Sequence, residues 1–376
     1  MCNNRHILLI VSSLSAGGAE RIISEMANWW AAHDQRVTVL TFSGTAQDHY
    51  QLNPNVERIA LDFWGRARNP WQVIDKRIRR IVKLRKAILK SRPDLVISFM
   101  DLTNVRTLVA LIGTKIPVII SERTDPRYNP ISRFWSYSRR FFYPLSAALV
   151  VQTQSVGQWA QCTFPSCKIS VIPNFVRSIP ESNGSCREKS MILAVGRLGR
   201  EKGYDLLLRA FASAGGIQKG WHLTILGEGI ERHNLEKLIA GLGLTASVHL
   251  PGIVQEPSEW MQKASLFVLT SRYEGFPNAL LEAMACGCAV IATDCPSAPA
   301  EIINNDINGL LVPVEDVTAL SNAMQRLMDD DSLRQRLGVQ ALKVKTTFSQ
   351  ETIMAQWDAL IENISSKGDT VNERCR

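Results

Sequence analysis

Two glutamates eight residues apart, Glu274 and Glu282, stand in the stretch SRYEGFPNALLEAMACGCAVIATD from Ser271 to Asp294. Before it runs an apolar strand, Ala264 to Thr270, and the polar turn that follows carries Glu274, Gly275 and Phe276. Pro277 suits the first position of a helix, where its missing N–H costs nothing. The spacing predicts a short helix from Asn278 to Cys286, ended by a left-handed Gly287. Glu274 therefore lies on the loop at a strand's carboxyl end, and Glu282 in the early part of the helix. Unpaired N–H groups at the helix start favour an anion in the same space. Two carboxylates able to bind hydroxyls beside a phosphate cradle are what a sugar-nucleotide site requires. The plainer alternative is a βαβ unit with two surface glutamates.

The elements that must position these residues follow a strand–helix rhythm in both halves, the pattern of parallel sheets. Arg5–Val11 reads as a strand, then a turn with Gly17 and Gly18, then a helix from Ala19 to about Ala32. The turn lacks G-x-G-x-x-G spacing, so no dinucleotide fingerprint is present. Gly17 and Gly18 allow either close approach to a ligand or a plain tight turn. The polar segment SIPESNGSCREK, 178–189, is the expected boundary. Beyond it Met191–Val195 leads to a loop carrying Arg197 and Lys202, and Trp221–Leu226 to Gly227, Glu228 and Gly229.

With 376 residues, 45% hydrophobic and 21% charged, the chain suits two soluble domains. No apolar run approaches a membrane span. The run Ile7–Val11 is too short for the core of an export signal, so a cytoplasmic location is expected. The 8 cysteines lack zinc-site spacing and the 6 histidines are scattered, so reduced thiols and no metal are expected.

A net charge of +8 admits phosphorylated substrates, an anionic membrane or nucleic acid. Two stretches in the first half concentrate it. Trp71–Lys90 places Ile74, Ile78, Ile81 and Ile88 on one helical face among Lys76, Arg77, Arg79, Arg80, Lys83, Arg85, Lys86 and Lys90. It is either a solvated basic face or one drawn to anionic lipid. Arg133–Tyr143 interleaves arginines with aromatics, as membrane-surface helices do. Base stacking would use the same types, and a helix with its aromatics packed inward is the plain alternative.

Arg197, Lys202, Gly227–Gly229, Glu274 and Glu282 together give the chain its resemblance to the retaining glycosyltransferases of family 4, with GT-B architecture. VGRL, EKG, LGEG, EGFPNALLEAMACG, VIATD and NGLLV occur in that family's order, and the likeness spans nearly the whole chain. GGAER and SERTDP in the first half look like members that build bacterial surface polysaccharides on lipid carriers. The resemblance implies an α/β chain of two Rossmann-like domains facing across a cleft. It implies an acceptor-side domain at 1–177, a linker at 178–190, a donor domain at 191–348, and a final helix with tail, 349–376, crossing back to the first.

It further implies that Arg197 and Lys202 stabilise the departing diphosphate and that Glu274 holds hydroxyls of the donor sugar. Glu282 would take the ribose hydroxyls, and Gly227–Gly229 would pass close to the base. Gly275, Phe276 and Asn278 belong to the same loop. Many members carry a histidine where Glu122-Arg123 stands here. Either Arg123 replaces it, or Glu122 contacts sugar or acceptor.

The expected activity is transfer of a hexose or N-acetylhexosamine from a UDP-linked donor, with retention and without a metal cofactor, to a polyprenyl-diphosphate-linked saccharide. The expected partners are that donor and acceptor and the inner face of the cytoplasmic membrane. A lipopolysaccharide core or small soluble acceptor, or a non-catalytic GT-B-like binding protein, are the alternatives. A nucleic-acid partner is not expected, because no recognised module accompanies the charge.

Overall fold

A computed structural model of the chain describes residues 5–63, 70–177, 179, 187–188, 190–296 and 298–373, with the side chains of 47, 70–77 and 367–373 left aside. Most of the expected linker, and Ile74, Lys76 and Arg77 of the basic helix, therefore lie outside the described positions.

The chain divides into two compact units, 1–173 with 354–376, and 174–353. In the first, seven strands run β1 (His6–Val11), β2 (Arg36–Thr41), β3 (Val56–Ala60), β4 (Leu95–Phe99), β5 (Val118–Ser121), β6 (Ala148–Val151) and β7 (Ile169–Val171). Its helices are α1 (Gly18–Ala32), α2 (Pro70–Ser91), α3 (Asp101–Ala110), α4 (Arg133–Phe142) and α5 (Gln154–Thr163). The second unit has β8 (Met191–Val195), β9 (His222–Leu226), β10 (Val248–Gly252), β11 (Leu266–Leu269), β12 (Ala289–Thr293) and β13 (Leu310–Val312). Between and after them lie α6 (Tyr204–Ser213), α7 (Arg232–Gly241), α8 (Pro257–Lys263), α9 (Asn278–Ala285), α10 (Pro299–Ile302), α11 (Val317–Asp329), α12 (Asp331–Ala341), α13 (Val344–Thr347) and α14 (Gln350–Glu373).

Both sheets are parallel throughout and share one order: β3-β2-β1-β4-β5-β6-β7 and β10-β9-β8-β11-β12-β13. Each unit is thus Rossmann-like, as the sequence implies. The first strand of each lies mid-sheet, and the order reverses beside it, between β1 and β4 and between β8 and β11. Ligands of such sheets bind outside the strands' carboxyl ends at that reversal.

The central strands are covered on both faces, which is why HILLIV and ALVV carry unbroken apolar runs rather than alternation. In the first unit Leu84 and Ile88 of α2, Val105 and Leu108 of α3, and Val156 and Ala160 of α5 share one core with Leu8, Ile10 and Ile120 of the sheet. On α1, the buried Ile22, Ile23, Met26, Ala27 and Trp30 recur at helical spacing. Trp357 of α14 meets Trp30 edge-on, with ring centroids 6.4 Å apart, and Asp358 accepts the Trp30 indole N–H at 2.7 Å.

The units divide at Pro173/Asn174 and again at Ile353/Met354, so residues 174–177 and 349–353 go with the second unit rather than with the expected first domain and final helix. Backbone bonding supplies the reason: Val176 N–H donates to the Phe348 carbonyl at 2.8 Å, pinning the connection to the end of the second unit. Strand β3 and helices α3 and α5 carry weak signals in the sequence. Half-exposed β3 reads VERIA, with a charged pair in its middle.

Candidate functional site

The candidates of the second unit lie in the loops that leave β8, β9 and β11 and on α9, which follows β11; the three strands are adjacent, at the point where the order reverses. Strand β8 opens into Gly196–Gly199 and a 3-10 turn, Arg200–Lys202. Gly203 then bends back with φ 64°, and a Cβ there would lie 2.1 Å from the Thr270 carbonyl oxygen. Only glycine fits, because the chain crosses directly over the end of β11. Thr270 Oγ1 donates to the Lys202 carbonyl at 2.9 Å, fastening the crossing.

That fastening sets Lys202 Nζ 2.5 Å from Glu274 Oε1. Ser271 Oγ donates to the same oxygen at 2.6 Å. Both side chains are largely withdrawn from water, Glu274 being 8% exposed as a residue. A buried carboxylate needs a counter-charge and hydrogen bonds, and here it has both. Arg272, next to them, binds Asp205 with two bonds of 2.9 Å, Glu315 at 2.5 Å and the Arg200 carbonyl at 2.7 Å. Its hydrogen bonds to Asp205 hold its pKa above the ordinary value, so the clamp stays charged. Sequence reasoning passes over Arg272 and Asp205, which lie 67 residues apart along the chain, and over Ser271, whose bond to Glu274 depends on how the turn between them folds.

Arg197 reaches outward, its side chain 75% exposed, and binds Glu201 at 2.7 Å. Burial opposes ionisation of Glu201. The Arg197 bond, with backbone bonding and the charges of Arg197 and Lys202, outweighs it, and the carboxyl sits below its usual range. Glu282 is buried on α9. Helix α9 begins at Asn278 with Pro277 at its cap and no side-chain cap bond, and Asn278 N–H donates to the Phe276 carbonyl at 3.0 Å. Gly287, at φ 72°, ends it as expected, with Gly287 N–H on the Met284 carbonyl and Cys288 N–H on the Ala283 carbonyl.

The glycines of the β9 loop serve packing. Gly227, at φ 138°, faces the Gly196 carbonyl, where a Cβ would lie 2.0 Å away, and Gly229 faces the Leu198 carbonyl at 2.3 Å. The β8 and β9 loops thus pack backbone to backbone. Glu228 is bound by Arg232, which holds its carboxyl low. Phe276 is buried against Phe348, ring centroids 6.2 Å apart, and Asn278 Oδ1 accepts from Asn174 at 2.7 Å. Gly275 is half-buried beside them.

In the first unit the Tyr50 hydroxyl donates to the Gly17 carbonyl at 3.0 Å, and Gly18 opens α1. Glu122 and Arg123, expected to reach a substrate, are both turned into the unit. Tyr143 O–H donates to Glu122, and Arg139 lies 3.7 Å from it. Burial raises the Glu122 carboxyl to about 7 against the pull of Arg139 and Tyr143. Arg123 lies over Phe99 and Trp357, 4.8 and 5.9 Å from the ring centroids, and burial lowers it to about 9. Their apolar and charged partners inside the fold explain the difference: neither side chain is on an open surface.

Two families meet in this chain. Glycosyl transferases group 1 matches residues 176–344, and Glycosyltransferase Family 4 matches residues 16–178. The chain is a glycosyltransferase of the family 4 kind. Among relatives, the GalNAc-alpha-(1->4)-GalNAc-alpha-(1->3)-diNAcBac-PP-undecaprenol alpha-1,4-N-acetyl-D-galactosaminyltransferase of Campylobacter jejuni is 28% identical over 361 residues, covering 96% of this chain and 99% of that one. Sucrose-phosphate synthase from Thermosynechococcus elongatus superposes with a TM-score of 0.81 at 19% identity, over 96% of this chain and 100% of the other. The Anabaena HepE protein, solved with UDP, gives 0.73 at 18% identity, over 96% and 100%. These solved structures establish the GT-B type of fold. The curated relatives include bacterial glycosyltransferases of lipid-linked glycan and exopolysaccharide synthesis, and this family 4 enzyme is of that general kind.

Proposed function

We propose that this enzyme moves a hexose or N-acetylhexosamine from a UDP-linked donor to a polyprenyl-diphosphate-linked saccharide, with retention at the transferred carbon. The observation that carries the donor half is the Lys202–Glu274 pair at the order reversal of the second sheet. A carboxylate that holds sugar hydroxyls would repel the adjoining diphosphate. Lys202 at 2.5 Å offsets that repulsion and stays close enough to take up charge from the leaving group.

In the proposed step the C1–O bond to the diphosphate breaks and a C1–O bond to the acceptor hydroxyl forms on the same face. The acceptor's proton passes to the departing phosphate, so no separate base is required. Lys202, Arg197 and the first turn of α9 stabilise the negative charge as it develops. Glu274 orients the sugar, and Glu282 receives the ribose hydroxyls. A lipid-linked saccharide is the class of acceptor that the Campylobacter relative's name carries, which supports this reading.

Helix α4 supports a membrane partner. Trp135, Arg139 and Phe142 turn inward, whereas Phe134, Tyr137 and Phe141 project at 60%, 74% and 73% exposure, flanked by exposed Arg133 and Arg140. Exposed Ile78, Val82 and Leu89 on α2 lie among exposed Arg79, Lys83, Lys86 and Lys90. Aromatic and aliphatic groups ringed by cations suit the headgroup region of an anionic bilayer at the cytoplasmic face. Among the described residues no helix is long and apolar enough to cross a membrane.

The test is incubation of purified protein with UDP-sugars and polyprenyl-diphosphate-linked oligosaccharide. UDP release with lengthening of the glycan by one residue is expected, and Glu274→Ala should abolish both while circular dichroism stays unchanged. A fully active Glu274→Ala protein would refute the assignment.

A further inference from the structure

Tyr204 opens α6, directly after the bend at Gly203. Its ring is packed into the core of the second unit with Leu198, Leu207 and Leu208, and the residue is 4% exposed. The hydroxyl at the far end of the ring returns to the loop that leaves β8. A Cβ placed on Gly196 would stand 2.8 Å from that hydroxyl and 3.3 Å from Lys202 Cε. Phenol and lysine stem thus converge on one small space, which stays open because Gly196 has no side chain.

Among the described residues the Tyr204 hydroxyl makes no hydrogen bond, and it is not sealed from solvent. Buried tyrosines ordinarily find a partner for the O–H, so a packed ring with an unused donor at its tip points to a ligand. Burial, joined by the charges of Glu274 and Glu201, holds the phenol above its ordinary pKa. The group is therefore a neutral donor beside the Lys202–Glu274 pair.

The turn after the first strand of a doubly wound sheet is where such folds hold a phosphate. In the second unit that turn runs from β8 to α6, with Gly196 at its start and Tyr204 just past its end. An ionised phosphoryl oxygen accepts and does not donate, which suits an O–H next to an ammonium group.

We propose that Tyr204 is a substrate-binding residue whose hydroxyl donates to a phosphoryl oxygen of the nucleoside diphosphate, alongside Lys202. This rests on the donor half of the functional reading above. The bond tightens as the C1–O bond breaks, because negative charge then gathers on the leaving diphosphate.

Calorimetric titration of the full chain with UDP, GDP and ADP, and with the matching nucleosides, tests the assignment. For the diphosphate that wild type binds most tightly, Tyr204→Phe should weaken binding about tenfold, through loss of one hydrogen bond to a charged group. Affinity for the nucleoside and the melting temperature of the free protein should not change, since the ring keeps its packing. The kcat for transfer should also fall, because the bond is stronger in the transition state. Equal weakening of the nucleoside would assign Tyr204 to the fold and overturn the proposal. Loss of affinity for the nucleotide sugar alone would overturn it too, by placing the phenol against the sugar. Diphosphate bound equally by both proteins would defeat the Tyr204 contact and leave the donor reading standing. A wild-type chain that binds no nucleoside diphosphate would defeat both.

Discussion

Lys202 and Glu274 are 72 residues apart in sequence and 2.5 Å apart in space. Removing one member leaves the other charged in a site with little water, which in buried pairs costs about 3–5 kcal/mol. The lower end applies here, because Lys202 keeps 20% of its side chain exposed. Lys202→Ala should therefore lower stability by about 3 kcal/mol in urea titrations and reduce kcat by at least ~100-fold. Lys202→Arg should recover most of the stability and little of the rate.

Arg272 touches Asp205, Glu315 and the Arg200 carbonyl, and so ties the loop after β11 to the turn that carries Lys202. It is a positioning residue. Arg272→Ala should lower kcat by roughly 10–100-fold with a smaller change in donor KM, as expected when geometry rather than binding is lost. Asp205→Asn keeps one bond to the guanidinium and should fall between wild type and Arg272→Ala.

A methyl group at Gly203 would stand 2.1 Å from the Thr270 carbonyl oxygen and would also strain a backbone at φ 64°. Gly203→Ala should destabilise the second unit by more than ~2 kcal/mol, above the usual range for loop glycines, since both terms act together. Limited proteolysis of the Lys202–Glu274 region should accelerate in parallel.

Glu122 makes the first unit pH-sensitive. Its carboxyl titrates at about 7 in the fold, pushed up by burial against Arg139 and Tyr143, and at an ordinary ~4.3 when unfolded. The folded chain therefore binds the extra proton between these values. The associated stability is complete below the unfolded pKa and is lost as pH rises through 7, by about 4 kcal/mol. Seven of the nine tryptophans fall within the first unit, so fluorescence reports its unfolding. Urea midpoints should decline between pH 5 and 8, and Glu122→Gln should flatten most of that decline. An unchanged slope in the variant would show that another group is responsible.

Flotation tests the α4 surface. Wild-type protein should float with vesicles of phosphatidylcholine containing phosphatidylglycerol, less so as salt rises, because the cationic contribution is screened. The Phe134→Ser, Tyr137→Ser and Phe141→Ser triple variant should stay at the bottom of the gradient while retaining transfer to a detergent-dispersed acceptor.

How far these features could be read from sequence depends on the range of the interaction. Strands β8, β11 and β12 are legible because both faces are covered, so their apolar runs are continuous. Helix α9 is legible from Gly287, whose left-handed conformation ends it. Strand β3 is not, because Glu57 and Arg58 interrupt its pattern at a half-exposed edge. The orientation of α4 was also hidden, since both faces carry aromatics and arginines. Packing decides it: buried Glu122 needs a cation, and Arg139 is the one turned toward it, over Trp159 at 5.4 Å. The same burial took Glu122 and Arg123 away from the surface role their loop suggested. The clamp joins Arg272 to residues up to 72 positions away, and no local spacing announces it.

Trp357 and Asp358 complete the side of the first unit formed by Trp30, Phe99 and Arg123. On the ribosome, residues 1–173 of that unit emerge well before these two side chains do. The second unit has its whole sequence available by residue 353 and is able to close first. Its neighbour must wait, with Trp30 uncovered, for Trp357 and Asp358 of α14. A stop codon introduced before Trp357 would leave the earlier-made half of the protein as the defective one.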